Sequence, residues 1–163
     1  MGPFPAELRA HIYSIMVVED ESQWAEVGGL KSKGSEHAAT VFRELVRVIA
    51  YSTHKIGAKV ARVHTDMGTE FKGAFEKLCA ELGARHTGTG GYRSTSNPLG
   101  EQWNRLAQEG LRAVLAACTG GVGYFDELWL LGLVHVVYWL NRNSTPSRES
   151  PYKRVWKKEY VMH

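Results

Sequence analysis

Hydrophobic and polar residues follow strand-like or helix-like spacing along most of the chain, and the pattern begins with a predicted hairpin. HIYSIMVV, residues 11 to 18, is rich in β-branched residues and precedes the polar EDES, which predicts a strand and a tight turn. WAEVGGL, residues 24 to 30, is then the returning strand. Ser35 is expected to be the N-cap of a helix. The apolar residues of this helix that are predicted to face the core are Val41, Phe42, Leu45, Val48 and Ile49.

Two further strands and a short helix follow in the middle of the chain. KVARVH, residues 59 to 64, alternates as a half-buried strand does, and Asp66 falls just past its end. A short helix over residues 71 to 82 is expected to stop at Gly83. ARHTG, residues 84 to 88, predicts an edge strand.

The remainder of the chain is predicted to be helical apart from glycine-rich breaks. TGTGGYRSTSNPLG predicts a mobile loop, which leads into a helix that carries Glu101 and runs to about Ala117. After a second break, TGGVG, a long apolar helix spans Leu128 to Leu140, and a short basic helix closes the chain. The order of strands and helices predicts an α/β domain with a mixed sheet.

The composition fits one soluble domain. The chain has 163 residues, of which 44% are hydrophobic and 23% are charged, enough to bury one core. The longest uncharged run, residues 128 to 140, is shorter than the roughly 20 residues that a membrane span needs. The N-terminus lacks the pattern of a signal peptide, so we expect an intracellular protein, nuclear or cytoplasmic, without a membrane anchor.

Net charge and cysteine content exclude only a few kinds of function. A formal net charge of +3 permits an anionic partner such as nucleic acid but does not select one. Cys79 and Cys118 form no CxxC pair and no Cys/His ligand spacing, which argues against a zinc site. We expect both to be buried thiols.

Asp66 and Glu101 are the candidate chemical residues. Ligand sites in open α/β sheets tend to lie at the carboxyl ends of strands, where Asp66 is predicted, and the loop before Glu101 could bring that residue close. Two neighbouring carboxylates repel unless a divalent cation compensates, and hard oxygen ligands suit Mg²⁺ or Mn²⁺. The alternative is that Asp66 only forms a turn and that Glu101 only interacts favourably with the positive, N-terminal end of the helix dipole.

Several ordered motifs resemble those of one family. HTDMGTEF resembles the h-s-D-x-G-t-E-F stretch around the second catalytic Asp of retroviral and retrotransposon integrases, and NPLGEQWNR resembles their N-G-x-x-E-R-x-N-R stretch around the catalytic Glu. IYSIMVVEDESQWAEVGGLKSK and YWLNRNSTPSRESPYKRVW look like stretches of the copia-type LTR retrotransposon group. The resemblance implies one integrase catalytic core over residues 1–163, with a ribonuclease H-like mixed β-sheet flanked by helices.

The resemblance also implies site residues and partners. Asp66 and Glu101 would be the second and third metal-binding acids for Mg²⁺ or Mn²⁺, acting in DNA 3′-end processing and strand transfer, and a two-metal site is expected only together with the missing first Asp. The implied partners are the DNA ends of the element, target DNA and a second copy in a homodimer. The candidate DNA contacts are Tyr92, Arg93, Ser94 and Asn97 in the loop and Asn104 and Arg105 on the helix, with Lys72, Lys157 and Lys158 as further phosphate contacts.

Some features depart from the family pattern. Pro98 and Gln102 replace the usual Gly and Arg, and a fixed φ at Pro98 could restrict loop closure. The family's first catalytic Asp lies a few residues upstream of a G-P-f stretch, so here it would precede Met1, leaving Glu19 or Asp20 as poor substitutes. We therefore expect the sheet to lack its first, central strand, so that the chain is poorly stable, is completed by another copy, or is rearranged to pair or cover the exposed edges.

Two alternatives to an active transferase stay open. The chain could be an inactive or co-opted integrase relic that serves as a dimerisation or DNA-binding module, which the departures above favour. A ribonuclease H-type nuclease shares the implied fold but not the NPLGEQWNR pattern.

Overall fold

The predicted order of strands and helices is observed. A computed structural model of the chain describes residues 11, 13–66, 68–88, 97–119, 125–144, 148–158 and 160. One turn of 3₁₀-helix, Thr69–Phe71, accompanies the main elements. These are β1 Tyr13–Val18, β2 Ala25–Leu30, α1 Ser35–Ser52, β3 Arg62–Thr65, α2 Ala74–Glu81, β4 Arg85–Gly88, α3 Pro98–Thr119, α4 Phe125–Arg142 and α5 Pro151–Trp156.

The four strands that the structure describes form two separate pairs. Strands β1 and β2 are antiparallel, with Tyr13 opposite Leu30, whereas β3 and β4 are parallel, with Arg62 opposite Arg85. Within the described residues no strand joins the β1–β2 hairpin to the β3–β4 pair, so no continuous sheet forms there. Antiparallel and parallel pairing thus both occur among the described residues, as expected for the mixed α/β fold, but in two small sheets and not in one mixed sheet. The absence of a first, central strand stays a prediction.

Helices cover both faces of the β1–β2 hairpin, because its apolar residues alternate. Ile15 and Leu30 face the core shared with α1, α2 and Val63. On the other face, Ala25 and Val27 contact a second core, to which α3 and α4 contribute Trp103, Ala107, Leu133, Val136, Val137 and Leu140. The hairpin is therefore the central layer of a three-layer arrangement.

Two adjacent glycines let these helices approach β2 closely. A Cβ atom added at Gly28 would lie 2.5 Å from Cγ1 of Val41 in α1, and one added at Gly29 would lie 2.5 Å from Cδ2 of Leu130 in α4. Both distances are shorter than real carbon contacts. The VGGL sequence of β2 thus fits a strand that is contacted from both sides.

A buried asparagine at the end of α4 pairs with the outer edge of β2. The Asn141 side chain is 1% exposed. Its Oδ1 accepts a hydrogen bond from the Ala25 backbone N–H at 3.0 Å, and its Nδ2 donates to the Ala25 carbonyl at 2.7 Å. The amide thus satisfies backbone groups that a neighbouring strand would otherwise pair.

Three sequence predictions about α1 and the cysteines were wrong in detail. Gly34, not Ser35, is the N-cap of α1, so no side chain caps this helix. Val48 is 45% exposed, because at about 100° per residue it lies roughly 90° from the centre of the buried stripe of α1. Cys79 is buried as expected, but Cys118 is exposed on the outer side of α3.

The ends of other elements match the predictions more closely. Strand β3 begins and ends later than predicted, so Asp66 follows it directly. Gly83 follows α2 with φ of 68°, the left-handed conformation that a helix stop favours. None of the described helices has the length and apolar character needed to cross a bilayer.

Candidate active site

Asp66 directly follows the carboxyl end of β3, and its side chain is exposed. Its Oδ1 accepts a hydrogen bond from the backbone N–H of Gly68 at 3.2 Å, which closes a tight turn after the strand. The structure therefore has this carboxylate at the predicted strand end. The turn uses one of its two oxygens as an acceptor.

Two histidine–threonine pairs fasten β3, and hence the start of this turn, to β4. On one face His64 Nδ1 lies 2.9 Å from Thr87 Oγ1, and on the other Thr65 Oγ1 lies 3.0 Å from His86 Nε2. Cross-strand pairs of this kind stabilise a sheet beyond its backbone bonds. They fix the register of the last two residues before Asp66.

The Thr87 hydroxyl lies close to two groups of β3. Its Oγ1 is 2.9 Å from His64 Nδ1 and 3.3 Å from the Val63 carbonyl oxygen. His64 Nε2 is buried and has no hydrogen-bond partner among the residues that the structure describes. The imidazole is thus tied to β4 through one nitrogen.

Glu101 lies in the first turn of α3, and Asn97 caps that turn. Asn97 Oδ1 accepts from the Gly100 N–H at 3.1 Å, and the Glu101 N–H donates to the Asn97 carbonyl at 2.9 Å. A Cβ atom added at Gly100 would lie 2.7 Å from Asn97 Nδ2, so the capping side chain lies tightly against this glycine. Pro98 is the first helical residue, where its missing N–H costs nothing.

The proposed helix contacts share one exposed side of α3. Glu101, Asn104 and Arg105 are exposed, whereas Trp103 between them is 1% exposed and fixes this orientation. Arg105 makes no ion pair with Glu101 among the residues that the structure describes. Both charged groups therefore face solvent one helical turn apart.

Glu19 stabilises the turn between β1 and β2. Its carboxylate accepts from the backbone and hydroxyl of Ser22 and forms an ion pair with Lys55 at 3.1 Å. Burial alone would raise the pKa of Glu19, but these hydrogen bonds outweigh it and hold the pKa below its usual value. These contacts give Glu19 a structural role, so a catalytic role is not needed to explain its presence.

The structure leaves several site predictions untested. Tyr92, Arg93 and Ser94 lie outside the described residues. Lys72, Lys157 and Lys158 are exposed, as phosphate contacts require. No group of three or more His, Cys, Asp or Glu side chains suited to a metal occurs in the described ranges, so no complete metal site is formed by them.

Sequence reasoning missed Asn141, His86 and Thr87. A signal for the last two was present, since β3 and β4 each contain the dipeptide His-Thr, as VHTD and RHTG. In parallel strands that are offset by one residue, such dipeptides bring each histidine next to a threonine of the other strand. The signal for Asn141 was an amide at the end of an otherwise apolar helix.

The chain resembles solved integrase structures in fold. No protein-family model and no curated protein matches it. The catalytic core domain of BIV integrase is similar with a TM-score of 0.62 and 20% identity, over 88% of this chain and 85% of that one. A chain of the simian T-cell lymphotropic virus intasome in complex with PP2A regulatory subunit B56 gamma gives a TM-score of 0.65 and 20% identity.

The second match covers 86% of this chain but only 46% of the intasome chain, so this chain spans less than half of that larger one. At this level of identity the likeness concerns the fold. The chain has the ribonuclease H-like α/β fold of integrase catalytic cores, and Asp66 and Glu101 occupy a strand end and a helix start within it.

Proposed function

We propose that this chain is the catalytic core of an integrase-type polynucleotidyl transferase from a copia-type LTR retrotransposon. The observation that carries the proposal is the position of two exposed carboxylates, Asp66 after β3 and Glu101 in the first turn of α3, within an integrase-like fold. The substrates are the DNA ends of the element and target DNA, and the reaction is 3′-end processing followed by strand transfer.

The donor set suits Mg²⁺ or Mn²⁺. Both carboxylates offer hard oxygen ligands, and neither forms an ion pair with a described lysine or arginine that would compete with a cation. From the family resemblance, we propose that a third carboxylate completes the site.

In the proposed reaction, an oxygen of water or of a DNA 3′-hydroxyl attacks a phosphodiester. A new P–O bond forms, the bond to the leaving 3′-oxygen breaks, and the proton of the attacking hydroxyl passes to solvent while the leaving oxygen gains one. A divalent cation held by Asp66 and Glu101 would supply charge for the attacking and leaving oxygens. Arg105, one turn beyond Glu101, would orient a phosphate oxygen, with Asn104 beside it.

The test is a strand-transfer and disintegration assay with Mn²⁺ and labelled branched oligonucleotides. It compares this chain with a form extended upstream in its reading frame, each with Asp66→Asn and Glu101→Gln. We expect activity in the extended form that either substitution lowers by a factor on the order of 10² or more. Glu109→Gln is the matched control, since Glu109 is an exposed acid on the same helix.

Activity that survives both substitutions would overturn the proposal. Activity in the present chain would show that the third carboxylate need not come from upstream. In both cases the Glu109→Gln control should behave as the unsubstituted protein does.

A second candidate is a module that binds DNA or dimerises without catalysis. It is favoured by the lack of a group of three metal-binding side chains across the described segments. Val134, Tyr138 and Trp139 of α4 are 44 to 46% exposed, a surface that suits a homodimer. A folded extended form that binds DNA, sediments as a dimer and fails to join DNA would favour this candidate.

A further inference from the structure

Two arginines lie directly opposite each other at the start of the parallel β3–β4 pair. Arg62 is the first residue of β3 and Arg85 the first of β4, and the register makes them direct neighbours. Both side chains are exposed. Neighbouring strands are roughly 5 Å apart, and like charges at directly opposite positions destabilise a sheet.

No acid offsets this repulsion in the part of the chain that the structure describes. The arginines that form ion pairs there are Arg43, Arg47 and Arg154, and those that stack on aromatic rings are Arg142 and Arg148. Arg62 and Arg85 belong to neither group. Folding alone therefore gives no reason for this pair.

The two arginines share one face of the β3–β4 pair with the residues next to the candidate active site. Successive side chains of a strand alternate between faces, so Arg62 lies on the same face as His64, and Arg85 on the same face as Thr87. The hydrogen bond between His64 and Thr87 confirms this arrangement. Asp66 follows the last residue of β3, four positions after Arg62, which corresponds to about 13 Å of extended chain.

We propose that Arg62 and Arg85 form a clamp for a phosphate of a DNA backbone. Guanidinium groups bind phosphate oxygens through two parallel hydrogen bonds, and two of them side by side would share the charge of one or two phosphates. The bound phosphate would lie a few nucleotides from the one at Asp66, because phosphates follow each other every 3.4 Å or so along the axis of a strand. The clamp thus sets how DNA crosses the β3–β4 pair.

The clamp rests on the proposed function for its ligand, since DNA is the partner inferred there. It does not depend on the metal, on Asp66 or on Glu101. Phosphate binding also explains why the repulsion is retained, because an anion between the guanidinium groups removes it.

The first test measures DNA binding by fluorescence anisotropy with a labelled short duplex, in EDTA so that catalysis plays no part. It compares the unsubstituted protein with the Arg62→Gln/Arg85→Gln double variant over about 50 to 200 mM salt. We expect affinity at low salt to fall about tenfold or more, and the slope of log K against log salt to fall by about 1 to 2.

The matched control is the Arg43→Gln/Arg47→Gln double variant, which removes the same charge from the exposed side of α1. It should keep most of the affinity and the salt slope. An equal fall in the control would mean that only net charge matters and would overturn the clamp. Unchanged binding by the Arg62→Gln/Arg85→Gln variant would overturn it as well.

A second measurement uses thermal unfolding without DNA. At low salt the Arg62→Gln/Arg85→Gln variant should unfold at the same or a higher temperature than the unsubstituted protein, because the repulsion is gone. Added inorganic phosphate should then stabilise the unsubstituted protein more than the variant. Stabilisation by phosphate without any change in DNA affinity would overturn a clamp for a DNA backbone.

The outcome for the clamp is separable from the outcome for the activity. Weaker DNA binding by the double variant, with no strand transfer by the extended protein, would uphold the clamp and overturn the proposed activity. Unchanged DNA binding with strand transfer that depends on Asp66 would uphold the activity and overturn the clamp.

Discussion

The β1–β2 hairpin and the β3–β4 pair are both two-stranded, but they are packed differently. Helices cover both faces of the hairpin, and its side chains enter two cores. The β3–β4 pair contributes Val63 to the α1–α2 core, where His86 also contacts Phe75 with ring centroids 5.5 Å apart. Its opposite face carries the two opposed arginines and the His64–Thr87 pair.

This difference distinguishes residues that stabilise the fold from residues that packing does not require and that are available for binding or catalysis. In the hairpin, alternation, two glycines and the Asn141 amide are all explained by packing against helices. On the polar face of the β3–β4 pair, packing explains little, and Asp66 directly follows strand β3. This face therefore carries the residues whose presence packing does not explain.

The largest expected effect is on the hairpin side, at Asn141. Asn141→Ala leaves both the N–H and the carbonyl of Ala25 buried without partners, which should lower the free energy of unfolding by about 2 to 5 kcal/mol. Denaturant unfolding measures the loss. Asn143→Ala is the control, because the Asn143 side chain donates to the Trp139 carbonyl at 2.9 Å within its own helix and does not pair with β2. Equal losses in the two variants would contradict the assigned role.

A smaller effect is expected at Thr87 in the β3–β4 pair. Thr87→Val removes the hydroxyl that forms hydrogen bonds with His64 and with the Val63 carbonyl, which should cost about 0.5 to 1.5 kcal/mol of unfolding free energy. Thr40→Val is matched, since Thr40 donates to the Glu36 carbonyl on the exposed side of α1. Thr87→Ser should restore the stability. If Thr87→Val cost no more than Thr40→Val, the cross-strand pair would not fasten β3.

The sequence predicted the order of elements and the strand end of Asp66, because apolar alternation and helical spacing are local signals. It did not predict Asn141, whose partner Ala25 is distant in sequence and known only once α4 meets β2. The error at Val48 has a similar cause, since only the actual neighbours of α1 decide where its buried stripe is centred. Cys118 was misplaced because an exposed thiol and a buried one look alike in a sequence.

The smallest expected effects come from two glutamates of the hairpin whose pKa values shift in opposite directions. Burial raises the pKa of Glu26 above its ordinary value of 4.5, although the hydrogen bond from Trp24 and the charge of Arg142 partly oppose the shift. The folded chain thus holds this proton more tightly than the unfolded chain. Glu26 therefore lowers stability as pH rises from 4.5 through its folded pKa.

Glu19 has the opposite sign, because its pKa lies below 4.5 in the folded chain. Its contribution to stability is present above pH 4.5 and is lost as pH falls through the folded pKa. At neutral pH, Glu26→Gln should therefore raise and Glu19→Gln should lower the free energy of unfolding, each by up to about 1 kcal/mol. Unfolding free energies of both variants between neutral and acidic pH test this, and in acid both differences from the unsubstituted protein should shrink. Two variants that shifted in the same direction at neutral pH would contradict the assignment of opposite roles to these acids within one hairpin.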